Sequence, residues 1–228
     1  MGKVQQKSGA CHVNDAEARL LESALSLFSR KGYEGASVRE IIEEAGVTRP
    51  VLYYYFKNKE DLFRQLVRKC LTELVAESDR ILDKAEGCKA CLEKLICSAF
   101  GRAERNLDEV RLLIHVIFKP PGQVPNMLDE PLLDEWFSCL VKVMKEGLET
   151  GELTRGEPEG LALAFNALMD FHMMVKSRFP AVTLTPELGK ALVDLFLHGA
   201  GSRETGRLPL LKPYEHELYS YSESCGAE

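Results

Sequence analysis

The stretch of residues 37–63 constrains the fold of this chain more than any other, because residue types mark the ends of its helices. Ser37 and Glu40 have the spacing of a capping box, in which the hydroxyl accepts from a free helix amide and the carboxylate reaches back to the cap. Gly46 can take the positive φ that ends this helix, and Thr48 can cap the next one. The sequence therefore predicts two helices joined by a tight turn, as in a helix-turn-helix.

The second of these helices is predicted to have an inner and an outer face. Leu52 and Phe56 lie four residues apart and are expected to pack onto the preceding helix. Arg49, Tyr53 and Tyr55 are expected to point outward. A short helix that presents arginine and aromatic side chains suits a DNA groove, so DNA binding is the first function to consider.

Two further helices complete a predicted three-helix core and its connector. Residues 15–31 have apolar side chains at helical spacing, and Gly32 is expected to stop that helix. Asn58 is expected to cap a long helix whose first turn contains Glu60 and Asp61, acids that suit the positive helix end.

The distribution of charge supports a nucleic-acid face at the N-terminal end. The net charge is −6 over 228 residues, which by itself does not suggest a DNA-binding protein. Residues 1–69, however, contain 12 Lys and Arg against 9 Asp and Glu, whereas residues 70–228 contain 17 against 26. Because Lys and Arg supply the affinity for phosphates, the positive N-terminal part is the expected DNA-binding part.

Two ordered motifs extend across residues 18–66. The first is Leu-Phe-x-x-x-Gly-Tyr-x-x-x-Ser-Val-Arg-Glu-Ile, and the second is Leu-Tyr-Tyr-Tyr-Phe-Lys-Asn-Lys-Glu-Asp-Leu-Phe. Through both motifs, residues 18–66 resemble the DNA-binding domain of the TetR family. The resemblance implies an all-α fold, with a helix-turn-helix DNA-binding domain at residues 14–60 and a larger helical ligand-binding and dimerisation domain at 61–205. Residues 206–228, rich in prolines, tyrosines, acids and serines, are expected to form a flexible C-terminal tail.

The resemblance also implies DNA-binding roles for individual positions. Arg49 is expected to donate twice to guanine, and Pro50 or Val51 to touch a thymine methyl, although a solvated Arg49 is the alternative. Family members often carry Gly or Thr where this chain has Pro50 and Val51, so the resemblance does not predict the operator sequence. Tyr54 is expected to pack inward. The complete predicted DNA-binding set is Ser37, Arg39, Thr48, Arg49, Pro50, Val51, Tyr53, Tyr55 and Lys59.

Beyond residue 85 the sequence predicts helices at 88–104, 107–118, 126–150, 158–178 and 186–203. The last two of these helices are apolar on more than one side, which favours packing against a partner chain. The alternative is a larger monomeric core. In the resembled family the corresponding helices form a four-helix bundle across a homodimer. Such a dimer would read a palindromic operator in double-stranded DNA, with recognition helices about 34 Å apart.

A small-molecule pocket in the larger domain is implied by the resemblance alone. Aromatic and methionine side chains at helical spacing could line it, although such residues are more often core than ligand contacts. The effector cannot be identified from these residue types. The candidates are His115, Phe118, Trp136, Phe137, Met144, Phe165, Met169, His172 and Met173.

Seven scattered cysteines do not form the pattern of a disulfide framework. Cys88 and Cys91 have a spacing that can serve metal binding or redox chemistry, with Cys97 nearby. No histidine lies at a local ligand spacing, so core packing is favoured over a sensor site. We expect no metal and no cofactor.

The sequence favours a ligand-responsive repressor over two other functions. A DNA-binding architectural or cell-division factor would keep the helix-turn-helix and act through a protein partner. An enzyme is least favoured, because the chain lacks a Gly-rich phosphate loop, a zinc-protease motif and a nucleophile elbow. No apolar run approaches the ~20 residues that span a membrane, and no signal peptide is apparent, so a cytoplasmic location is expected.

Overall fold

The computed structural model describes residues 9–119, 123–127 and 131–198, with side chains from Asp15 onward. Within these ranges all regular secondary structure is helical, which confirms the predicted all-α class. The predicted tail, 206–228, lies outside the described residues. The nine described helices are α1 (Gly9–Gly35), α2 (Val38–Ala45), α3 (Arg49–Tyr55), α4 (Lys59–Leu82), α5 (Cys88–Arg105), α6 (Leu107–Phe118), α7 (Pro131–Thr150), α8 (Pro158–Arg178) and α9 (Pro186–His198).

Several predicted helix boundaries agree with the structure, but α1 begins at Gly9 instead of residue 15, and α7 begins later than predicted. The prediction placed its start at residue 126, whereas residues 123–127 are not helical and the helix begins at Pro131. Pro131 lies in the first turn of α7, where proline is favoured because the amide hydrogen that it lacks would have no helical partner there. In α1, Gly32 interrupts the helical dihedrals with φ 72°, as its predicted role as a helix stop requires.

The first of two compact units comprises residues 1–72 and 111–130. In it, α1 packs against α2 and α3. The Phe28 and Phe63 rings meet edge to face, with their centroids 5.2 Å apart. This packing forms the predicted three-helix core, whose fully buried residues include Leu20, Ala24, Phe28, Ile41, Leu52, Phe56 and Leu62.

The start of α2 is the predicted capping box. The Glu40 amide donates to Ser37 Oγ at 3.2 Å, and the Ser37 amide donates to Glu40 Oε2 at 2.9 Å. Hydrogen bonds from Lys31 and then from Ser37 lower the pKa of Glu40 to about 2, so this carboxylate remains charged at neutral pH. Gly46 ends α2 with φ 62°, in the left-handed region that glycine adopts without strain.

The start of α3 differs from the prediction. Thr48 occupies the cap position, but its side chain makes no capping hydrogen bond, so this prediction was wrong. A cap side chain accepts from the second or third helix amide. Here the second residue is Pro50, which has no amide hydrogen, and the third amide, that of Val51, donates to the Thr48 carbonyl at 3.0 Å.

The two caps give a matched stability test. We expect Ser37→Ala to lower the free energy of unfolding by about 1 kcal/mol, the usual contribution of a capping side chain. Thr48→Ala should have a much smaller effect, because its hydroxyl caps no amide. Urea unfolding of the full chain, followed by circular dichroism, measures both. Equal losses in the two variants would contradict this description of the caps.

The second unit comprises residues 73–110 and 131 onward. In it, α5 packs against α9, and α7 packs against α8. Its largest fully buried side chains include Leu92, Ile96, Phe100 and Phe165. No helix within the described ranges is long and apolar enough to cross a membrane.

A buried lysine fixes the turn between α8 and α9. Lys176 is only 6% exposed, and its ammonium donates to Glu104 Oε2 at 2.9 Å and to the Pro180 and Val182 carbonyls at 3.0 and 2.8 Å. The other Glu104 oxygen accepts from the Leu184 amide at 2.8 Å. Because all three ammonium protons are satisfied, this buried charge has a structural role.

Candidate nucleic-acid interface

The outer face of α3 lies opposite two fully buried residues. Leu52 and Phe56 are each 0% exposed and join the core of the first unit. A residue two positions from Leu52 lies about 200° around the helix, which is nearly the opposite side. Pro50 and Tyr54 occupy those positions, and both are exposed. They form a ridge along the centre of the outer face.

The prediction that Tyr54 packs inward was therefore wrong. Its side chain is 76% exposed, compared with 48% for Tyr53. Tyr55 is only half-buried, and its ring centroid lies 5.0 Å from that of Tyr54 and 6.2 Å from that of Phe56. Helical geometry explains the difference, since Tyr55 is adjacent to the inner face and Tyr54 is remote from it. The four-residue spacing of Leu52 and Phe56 already placed Tyr54 on the opposite face of the helix, so the sequence alone contained the information that Tyr54 points outward.

Three polar candidates lie at the surface of the helix-turn-helix. Arg49 is exposed at the first residue of α3. Arg39 on α2 has an 81% exposed side chain and pairs with Glu43, Nε to Oε1 2.7 Å. Ser37 has its hydroxyl engaged in the cap of α2. The Arg49 side chain is therefore accessible from outside the fold, whereas the Ser37 hydroxyl has a structural role as the cap of α2.

Lys59 is held at the start of α4 by contacts within the first unit. Its ammonium donates to the Ala36 carbonyl at 3.0 Å and lies 4.2 Å from the centroid of the Tyr33 ring. The side chain is half-buried. A lysine held in this way can present its charge at a fixed position, and it also ties α4 to the residues that precede α2.

A salt titration distinguishes a phosphate contact of Lys59 from a purely structural role. We expect Lys59→Ala to weaken binding to all DNA sequences and to reduce the slope of log affinity against log salt by about 1, as for a lost phosphate contact. Lys69→Ala, at an exposed position farther along α4, is the control. A weaker complex with an unchanged slope would mean that Lys59 acts only by holding α4 in place.

The nine predicted pocket residues are divided between the two units. His115 and Phe118 belong to the first unit, and the other seven belong to the second. Met144, Phe165 and Met169 are buried in the core of the second unit. Trp136, Phe137, His172 and Met173 are half-buried.

His115 differs from the other pocket candidates in having a buried ring nitrogen, Nδ1, that lacks a hydrogen-bond partner. Burial, followed by the charge of Lys119, lowers the pKa of the ring, and a hydrogen bond to the Phe28 backbone opposes this shift. The neutral ring is therefore favoured at neutral pH.

The second unit also has an open groove between α4 and α7, with a volume of about 560 Å³. None of the predicted pocket residues lines it. The α7 lining residues recur at intervals of three and four, a helical spacing that was readable in the sequence. The complete lining is Val75, Asp79, Leu82, Pro131, Asp134, Glu135, Ser138, Cys139 and Lys142.

Cys88 and Cys91 are buried thiols in the second unit. Burial is the largest cause that raises their pKa values, to about 12 for Cys88 and about 11 for Cys91. Both are therefore protonated at neutral pH, whereas metal binding and redox chemistry use the thiolate. The described part of the chain holds no cluster of three or more metal-ligating side chains.

Comparison with known proteins links this helix-turn-helix to one family. Residues 20–66 match the family model described as bacterial regulatory proteins, tetR family. YfiR, an uncharacterised regulator from Bacillus subtilis, is 33% identical over 69 residues, 30% of this chain and 34% of that protein. The transcriptional repressor KstR2 from Mycobacterium tuberculosis is 31% identical over 142 residues, 62% of this chain and 71% of the repressor.

The same fold occurs in solved structures of regulators. The crystal structure of FadR from Bacillus subtilis, in complex with stearoyl-CoA, has a TM-score of 0.71 and 17% identity to this chain. The match covers 80% of this chain and 98% of FadR. Together with the helix-turn-helix geometry and the similarity to KstR2, these findings show that the chain belongs to the TetR family of DNA-binding transcriptional regulators.

Proposed function

We propose that this chain is a repressor that binds a palindromic operator as a homodimer and leaves it when a small molecule binds. The observation that carries the proposal is the outer face of α3, where Pro50 and Tyr54 are exposed opposite the buried Leu52. A recognition helix of this kind enters the major groove. We assign DNA binding to residues 14–60 and effector binding and dimerisation to 61–205, and we propose a cytoplasmic location.

The proposed contacts are divided between bases and phosphates. Arg49 would donate to guanine, and Pro50 and Val51 would touch thymine methyl groups. To these we add Tyr54. The sequence suggested that this side chain packs inward, but it is exposed, and we propose that it contacts the DNA. The phosphate contacts would position the helix without reading sequence. They are Ser37, Arg39, Thr48, Tyr53, Tyr55 and Lys59.

The proposed homodimer face is an exposed apolar stripe on α8. Leu163 is 62% exposed, Phe171 51% and Met174 40%, and the exposed Ala167 lies between them. Their spacing of four, four and three residues places them on one face of the helix. Several large apolar side chains exposed together mark an association surface. A second copy of the chain, related by two-fold symmetry, is the proposed occupant.

The proposed effector is a small, partly apolar molecule that binds the second unit. FadR, which shares the fold, is known in complex with stearoyl-CoA, so acyl-CoA thioesters are the first class to test. The predicted residues of the second unit, including the half-buried Phe137 and Met173, remain candidate contacts. An effector releases DNA only if it binds better to a conformer in which the recognition helices are misplaced.

Selection of genomic fragments by the purified chain tests this function. The selection is repeated with a series of acyl-CoA thioesters and with a mixture of other metabolites. A palindromic site that is lost on addition of either would support the ligand-responsive repressor. A site retained under all additions would favour an architectural factor that acts through a protein partner. Failure to enrich any site would contradict sequence-specific DNA binding.

A further inference from the structure

A carboxylate lies within the apolar stripe of α8. Asp170 is seven residues after Leu163 and four before Met174, so helical spacing places it on the same face as both. Its neighbours along that face are Ala167 and Met174. The Asp170 side chain is half-buried, whereas the apolar residues around it are exposed. An acid in the middle of an apolar association surface needs a physical explanation.

The hydrogen bonding of Asp170 is sparse. Trp136 Nε1 on α7 donates to Asn166 Oδ1 at 3.2 Å, and Asn166 Nδ2 donates to Asp170 Oδ2 at 2.6 Å. In the part of the chain that the structure describes, the Asn166 amide is the only hydrogen-bond donor to this carboxylate. Burial raises the pKa of Asp170 to about 6, and the Asn166 hydrogen bond opposes the shift.

Among the described residues, no charged group on the helices that pack against α8 forms an ion pair with Asp170. On α7, Lys145 pairs instead with Glu159 in the first turn of α8, at 4.0 Å. On α8 itself, Lys176 is directed to Glu104 of α5. The causes of the raised pKa include no charge from α5, α7 or α9. Among the described residues the carboxylate therefore has no paired cation.

The position of Asp170 along the stripe determines what it would meet in a dimer. At 1.5 Å per residue, the stripe from Leu163 to Met174 is about 16 Å long, and Asp170 lies about 2 Å from its midpoint. Two copies that pack this stripe symmetrically cross near the midpoint. In a symmetric crossing at this midpoint the two copies of Asp170 are offset along the helices by at most about twice that distance, which brings the two carboxyl groups close to each other.

We propose that the homodimer brings the two Asp170 carboxyl groups together at the two-fold axis, where the pair retains one proton. The inference rests on the proposed homodimer. Two carboxylates in close contact cannot both be ionised without a large cost, so one proton is taken from solvent when the dimer forms. Above the pKa of the monomeric carboxyl, one proton is bound per dimer, and association weakens as the pH rises.

Sedimentation equilibrium between pH 6 and pH 8 measures this linkage. The dissociation constant of the dimer should rise about tenfold per pH unit where one proton is bound on association. Asp170→Asn keeps the size and the hydrogen-bonding capacity of the side chain, and it should form a dimer whose stability does not depend on pH in this range. Asp83→Asn, which changes an exposed carboxylate just after α4, should retain the wild-type pH dependence.

The possible results separate the inference from the proposed homodimer. A wild-type chain that is monomeric throughout the pH range would overturn the homodimer itself. A dimer with the same dissociation constant at pH 6 and pH 8 would leave the homodimer standing and overturn the shared proton. Retention of the full pH dependence by Asp170→Asn, with an unchanged circular dichroism spectrum, would also overturn it.

Discussion

Replacing Phe171 by glutamate is expected to make the chain monomeric and to remove tight binding to a two-half-site operator. Phe171 is 51% exposed within the α8 stripe, so a charge there would be buried against the second copy without a partner. Because the two half-sites are bound by linked recognition helices, loss of the link should weaken operator binding by about 100- to 10,000-fold. Sedimentation and titration against the full operator and a single half-site measure both effects.

A matched control distinguishes loss of the dimer from loss of the fold. Ile117→Glu introduces the same charge at an apolar residue of α6 that is 42% exposed, outside the proposed interface. It should remain dimeric and bind the operator normally. Binding of a single half-site should survive in both variants, because the helix-turn-helix is unchanged. A Phe171→Glu chain that remained dimeric with full operator affinity would refute the assignment of the α8 stripe.

Replacing Arg49 by alanine is expected to cost about 1–3 kcal/mol of operator binding and to relax the preference at one base pair. The reason is the position of the residue, exposed at the first residue of α3, where its guanidinium can donate twice to one guanine. Titration of a set of operators, each with one base pair changed, measures the effect. Discrimination should fall at one position and persist at the others.

Arg39→Ala is the comparison for a contact that does not read sequence. Arg39 is exposed on α2, beside Glu43, and is a proposed phosphate contact. Its loss should weaken all operator variants by a similar factor, because phosphates carry no sequence information. If Arg49→Ala also weakened every variant equally, its role in reading bases would be wrong.

The helix-turn-helix could be predicted from sequence because local chemistry determines its boundaries. The capping box of Ser37 and Glu40 and the left-handed Gly46 depend on residues within one turn of each other. The prediction failed where two local preferences competed. Thr48 is a good cap residue, but Pro50 removes the amide that its hydroxyl could have bonded.

The arrangement of side chains in the second unit was less accessible to prediction. The burial of Asp170 depends on the position of α7 relative to α8, and the link from Trp136 through Asn166 joins residues 30 positions apart in sequence. Tertiary packing of this kind leaves no periodic signal. The pocket candidates were chosen by residue type, which does not separate a half-buried side chain such as Met173 from a core side chain such as Met144.

A change in operator spacing is the most direct test of two-fold DNA recognition, because a two-fold dimer presents its two recognition helices to one face of the DNA. Five base pairs inserted between the half-sites of a selected palindrome would rotate one half-site by about half a turn. Anisotropy titration of the purified chain should then show affinity reduced to that of a single half-site, and insertion of ten base pairs should restore part of it where the DNA can bend. Equal affinity for the original and the five-base-pair operator would contradict recognition by a two-fold dimer.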